Sequence, residues 1–138
     1  MSCTSSSSEK MPKAVLVIHG GAGWISRGSV SYSMEQAYRN TLKESLLKGR
    51  SIIKSGGSSL DAVQIAIEHL EDSPLFNAGK GSVFTNNETN EMDSAIMDGA
   101  TGNAGAATGI ATIKNPIQVA RAVLDHSVHV FLSGAGAE

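Results

Sequence analysis

The sequence predicts an α+β fold, a small antiparallel or mixed sheet covered by helices. Three observations predict it. A continuous apolar run ends in a glycine-rich turn, two successive segments repeat their apolar residues at helical spacing, and several short strand-like runs are separated by hairpin-type turns. The order strand, two helices, several strands, helix, strand lacks the strict alternation of βαβ units.

Ala14-Val15-Leu16-Val17-Ile18 is short, β-branched and bounded by glycines, so it reads as a buried strand. His19-Gly20-Gly21-Ala22-Gly23 follows as a loop. Ser33-Met34-Glu35-Gln36 has capping-box spacing. Met34, Ala37, Tyr38, Thr41, Leu42, Ser45 and Leu46 then recur with helical period, predicting a helix to about Ser55 that stops at Gly56-Gly57. A second helix starts near Ser58 or Ser59 and buries Leu60, Val63, Ala66, Ile67 and Leu70. Pro74 forbids its continuation, so it ends near Asp72. Ser82–Thr85, Glu91–Met97 and Ala104–Ile113 are strand candidates, with a hairpin turn at Asn86-Asn87-Glu88 and a further turn at Asp98-Gly99. Asn115-Pro116 opens a third helix as N-cap and first helical residue. Its apolar face is Ile117, Ala120, Val123 and Leu124, and Val128–Leu132 reads as a last strand.

The 138 residues suit one domain with a real core. A net charge of -2 and the lack of clustered Lys and Arg exclude a nucleic-acid or membrane-surface partner. Cys3 is the single cysteine, which rules out an internal disulfide and fits a reducing compartment. Residues 1–12 are polar, with serine at 5–8. They lack the apolar stretch of a secretory signal and are expected to be disordered, leaving 13–138 as the domain. No segment is long and apolar enough to span a bilayer. A cytoplasmic protein is the expectation.

Two loops could carry chemistry. The glycines of His19–Gly23 let the backbone bend sharply and can aim successive N–H groups into one concavity suited to an oxyanion. A lipase-type oxyanion loop would need a Gly-x-Ser-x-Gly elbow, and a dinucleotide loop would need Gly-x-Gly-x-x-Gly in its context. Neither motif is found, and a plain tight turn stands beside these readings. Residues 70–81, bracketed by Pro74 and by Gly79 and Gly81, form a loop of the kind that turns carbonyls inward toward a hard cation, or an ordinary ordered loop. Asp93 and Asp98 lie five apart on a strand candidate and face opposite sides, which argues against a paired-carboxylate site. No metal-ligand spacing links His69, His126 and His129, and Cys3 sits in the tail.

The blocks Ala14–Gly23, Pro74–Thr85, Glu91–Gly99, Gly105–Ile110 and Asn115–Arg121 follow one another in an order that resembles the N-terminal, α-subunit portion of plant-type L-asparaginases and isoaspartyl peptidases (β-aspartyl-peptidases). The resemblance implies a threonine-type Ntn hydrolase with an αββα sandwich. The precursor cuts itself into α and β subunits, and two αβ units associate as (αβ)2. The nucleophile is the new N-terminal threonine of β, with its own amine as base. L-asparagine and isoaspartyl dipeptides are the substrates.

By the same resemblance, Asn77 helps order the site, and the turn containing His19, Gly20, Gly21 and Gly23 lies beside the nucleophile. Backbone carbonyls of Leu70, Glu71, Ser73, Phe76, Ala78 and Lys80 match a loop that holds a structural Na⁺ (or K⁺), and no cofactor is required. One departure stands out. The family's threonine follows glycine in a Gly-Thr-Val-Gly string, and these 138 residues contain no Gly-Thr pair. No catalytic residue is therefore assigned. The fold is expected to be incomplete without the β subunit of the same precursor, and the chain alone is expected to be inactive. The alternative is a truncated, non-catalytic isoform or fragment that pairs with or modulates a full-length asparaginase.

Overall fold

A computed structural model describes residues 14–22 and 28–138. The expected tail at 1–12, residue 13 and Gly23 lie outside the described residues. In chain order the elements are α1 (Tyr32–Lys54), α2 (Ser59–Glu71), a 3-10 turn at Gly79–Gly81, β1 (Met92–Met97), β2 (Ala104–Ile110), α3 (Pro116–His126), β3 (Phe131–Ser133) and a 3-10 turn at Gly134–Gly136. This is a small α+β arrangement. The sheet runs β1-β2-β3, with β1 and β2 antiparallel and β2 and β3 parallel.

The N-cap of α1 lies two residues before the expected one, at Ser31 instead of Ser33. Ser31 has the extended backbone of an N-cap, and its hydroxyl accepts from the Met34 N–H at 3.2 Å. Ser33 is therefore inside the helix. Glu35 does not reach back to cap but accepts from Arg39 one turn on, at 2.8 Å. The helix closes at Ser55 and Gly56, as the glycine pair predicts. α2 is capped by Ser58, whose hydroxyl accepts from Asp61 N–H, and it ends before Pro74. α1 and α2 cross closely at Ser45 and Gly49. The buried Ser45 hydroxyl donates to the Ala66 carbonyl at 2.8 Å.

The main core lies between α2, α3 and the sheet. Ile96, Ile117 and Ala120 are buried there, flanked by Leu60, Val63, Ile67 and Leu124. These are the apolar stripes that the helical spacing predicts, closed by the inward residue of β1.

Several strand expectations are corrected. Ala14–Ile18 is not part of the sheet. Leu16 and Ile18 are half-buried, but Val15 is 79% and Val17 81% exposed. A strand forms only where a neighbour takes its N–H and C=O groups, and no described strand lies beside this segment. Ser82–Thr85 is reduced to one antiparallel bridge, Phe84 with Asn90. Its turn is closed by hydrogen bonds between Thr85 and Thr89 rather than by a ladder. β2 stops at Ile110, three residues short of the expected end. Ala111 and Thr112 donate their N–H groups to the Glu138 carboxylate instead of to a strand. The last strand is 131–133, not 128–132, because the parallel register aligns Phe131 with Ala106. Among the described residues no helix is long and apolar enough to cross a membrane.

Candidate functional site

The glycine turn and the 70–81 loop, far apart in sequence, face one cavity of about 640 Å³. His19, Gly20, Gly21 and Ala22 line one side, and Leu75, Phe76, Asn77 and Ala78 the other. Tyr38 from α1 stands edge-on to Phe76, with ring centroids 5.6 Å apart, and fixes the loop against the helix. Gly20 is pressed against the same wall. A Cβ there would come within 3.2 Å of both Leu42 and Phe76.

Within the turn, the Gly21 N–H donates to Nδ1 of His19 at 3.1 Å. Nδ1 must then be an acceptor, so the neutral ring carries its proton on Nε2. Gly21 has a φ of +115°, a conformation that an L side chain rarely adopts. Its N–H is thus turned inward to the histidine and is committed within the turn. That weakens the multi-donor oxyanion cradle and favours a shaped wall. Asn77 is anchored too. Its Oδ1 accepts from the Val83 N–H at 3.0 Å, which leaves the Nδ2 amide as its donor group.

The 70–81 loop folds back on itself. Gly79 and Gly81 fit because they lack a side chain. A Cβ on Gly79 would stand 2.4 Å from the Glu71 carbonyl oxygen. One on Gly81 would stand 2.2 Å from that of Phe76 and 2.9 Å from that of Pro74. Carbonyls are therefore gathered around the glycines. Phe76 and Ala78 each accept one backbone N–H, from Ala78 and Gly81, whereas Leu70 accepts from both Asp72 and Ser73. A carbonyl has two lone pairs, so those of Phe76 and Ala78 retain acceptor capacity. An all-backbone-oxygen set of this kind suits an alkali or other hard cation. Among the described residues no group of three or more His, Cys, Asp or Glu could hold a metal.

Two side chains to which the sequence reading gave no part in this loop, those of Glu71 and Asn115, support it. Glu71, the last residue of α2, is only 4% exposed. Its Oε1 accepts from the Ile117 N–H at 3.0 Å and its Oε2 from the Asn115 Nδ2 at 3.1 Å. Asn115 is the N-cap of α3, as expected, but its side chain makes no cap bond to its own helix. The carboxylate of Glu71 takes over that function because it is already buried at the start of α3. Burial raises the pKa of Glu71 above the ordinary glutamate value, and the bonds from Ile117 and Asn115 oppose the rise. Spacing held the signal: Glu71 follows Ile67 by four residues, on the apolar face of α2.

Asp93 and Asp98 serve separate structural tasks, as their spacing implies. Asp93 bridges β1 to Thr108 and Gly109 of β2, and Asp98 closes the turn at Ala100 and Thr101. His69 pairs with Glu44 across α1 and α2 at 3.2 Å.

A family model described as asparaginase matches residues 12–138. A protein from Dictyostelium discoideum, provisionally named an isoaspartyl peptidase/L-asparaginase, is 56% identical over 126 residues. The match covers 91% of this chain and 36% of that protein. An isoaspartyl peptidase from Escherichia coli is 47% identical over 128 residues, covering 93% and 40%. A plant-type L-asparaginase from Pyrococcus furiosus is 48% identical over 122 residues, covering 88% and 38%. The chain thus spans well under half the length of these relatives. With the match running through both loops of the cavity, the chain belongs to the family of plant-type L-asparaginases and isoaspartyl peptidases, a family of amidohydrolases.

Proposed function

We propose that the chain supplies the scaffold portion of a hydrolase that converts L-asparagine to L-aspartate and ammonia, or cleaves isoaspartyl dipeptides. The observation that carries this reading is the single cavity shared by the His19–Ala22 turn and Asn77 in a chain of this family. The nucleophile is a threonine outside these 138 residues, since no Gly-Thr pair occurs within them. In such a reaction the acyl group passes from the amide nitrogen to the threonine oxygen and then to water, with the threonine's amine moving the proton.

The residues of this chain prepare that step rather than perform it. In the turn, Gly20 packs against Leu42 and Phe76, and the Gly21 N–H is satisfied by His19. Asn77, held through Oδ1, lines the cavity and keeps its Nδ2 as a donor. Carbonyls of Leu70, Glu71, Ser73, Phe76, Ala78 and Lys80 would hold Na⁺ (or K⁺), which contributes rigidity to the loop and takes no part in bond making. The helices and sheet form part of an αββα sandwich completed by a β subunit, with (αβ)2 as the assembly.

The test is reconstitution. The chain alone, incubated with a β-aspartyl dipeptide, is expected to release no aspartate. Co-expressed with the remaining part of the Dictyostelium relative, it is expected to co-purify and to turn the dipeptide over. Turnover by the chain alone would sink the assignment of the nucleophile to another segment. A co-purified but inactive pair would favour the non-catalytic, modulating reading.

A further inference from the structure

Glu71 faces two ways. Its backbone belongs to the carbonyl loop, where Gly79 packs so tightly that a Cβ would lie 2.4 Å from the Glu71 oxygen and 2.7 Å from its Cβ. Its carboxylate leaves that loop on the other side and holds the first turn of α3 through Ile117 N–H and Asn115 Nδ2. From α3 the contacts continue into the sheet. The Pro116 carbonyl accepts from the Ser94 hydroxyl of β1 at 2.6 Å, and Asn115, Pro116 and Ile117 are all buried. Close-packed, hydrogen-bonded elements of this kind move together rather than deform independently.

We propose that Glu71 is a positioning residue that couples cation binding in the 70–81 loop to the start of α3 and so to the sheet edge at Ser94. This rests on the reading of that loop as an alkali-ion site, and goes beyond it by assigning a side chain, not a carbonyl, the task of transmitting the ion's effect. The coupling is a free energy shared by two sites, so it acts in both directions. An ion that orders the loop fixes the Glu71 backbone and tightens the α3 cap. Loosening the cap weakens the ion in the same proportion.

Glu71→Gln tests the link. Glutamine keeps the size but replaces one acceptor oxygen with a donor, so it cannot reproduce two bonds that are made to different oxygens, Ile117 to Oε1 and Asn115 to Oε2. Hydrogen exchange of the full chain is compared in NaCl and in an equal concentration of a bulky organic cation chloride. In the original chain, Na⁺ is expected to protect the amides of 73–81 and those of 117–119 together. In the Glu71→Gln chain, the loop is expected to keep its response while 117–119 lose theirs, and Na⁺ binding is expected to weaken by about tenfold. Asn115→Ala, which removes one of the two bonds and leaves the acid in place, is expected to lie between, and it serves if Glu71→Gln fails to fold. Equal responses at 117–119 in the original and substituted chains would overturn the coupling while leaving the ion site intact. No response to Na⁺ at 73–81 in the original chain would overturn both.

Discussion

Asp93 holds β1 and β2 together where their register breaks, between Met92 and Ser94. Its carboxylate accepts from the Thr108 hydroxyl and, at 3.0 Å, from the Gly109 N–H. Those two bonds, Thr108 first, hold its pKa below the ordinary aspartate value. The unfolded chain therefore binds the proton more readily, and folding stability from Asp93 is present above the unfolded pKa and lost as pH falls through the folded one. Asp72, with Lys114 and Asn115 as partners, and Glu138, on the Thr112 and Ala111 amides, act with the same sign. Glu71 acts oppositely, because burial raises its pKa and the cost of its charge is relieved as pH falls. The expected result is a thermal midpoint that drops below about pH 4, with a shallower drop in Asp93→Asn. An unchanged slope in that variant would show that the bridge contributes nothing to acid stability. The role of Asp93 was half legible: its spacing from Asp98 indicated separate tasks, but Thr108 became its partner only through the pairing of β1 with β2.

At the level of elements, the crossing of α1 and α2 depends on one small residue. A Cβ at Gly49 would stand 2.6 Å from the Leu16 side chain and 2.8 Å from the Ala62 carbonyl oxygen. In an isolated helix Gly→Ala is favourable by about 1 kcal/mol. Here the overlap with backbone opposes it, at about 1–3 kcal/mol. Gly49→Ala is therefore expected to lower the urea midpoint instead of raising it, and a stabilised variant would mean that the crossing relaxes freely. The helices were the most legible elements. Their stripes, their stops at Gly56 and before Pro74, and Pro116 as a first helical residue all follow from local chemistry. Their caps were less so. Ser31 instead of Ser33 begins α1, and at α3, where Asn115 holds the N-cap position, the side-chain bond to a first-turn N–H comes from the distant carboxylate of Glu71. A side chain that competes for a cap from another element leaves no trace in local spacing.

At the scale of the molecule, Val15 and Val17 stand exposed on an extended segment that pairs with no described strand, while Leu16 and Ile18 face inward. Apolar side chains beside unpaired backbone invite another chain. The 138-residue chain, of 14.3 kDa, is expected to self-associate with rising concentration, and Val15→Lys with Val17→Lys to reduce it. Monomeric light scattering at all concentrations in the original chain would contradict this. The same segment marks the boundary of what sequence can reach. Its continuous apolar, β-branched composition determined that residues 14–18 are strand-like. Hydrogen-bonding neighbours decide whether such a segment becomes a strand, and those come from elsewhere in space. The sequence by itself determined the α+β class, the helices and the two loops with their family pattern, because period, punctuation and motif are local properties. Only the tertiary structure decided that the glycine turn and Asn77 face one cavity, that Gly21 turns its N–H to His19, and that Glu71 joins the carbonyl loop to α3. Each of those depends on distances between residues far apart in the chain, which are fixed by packing the helices against one another and against the sheet.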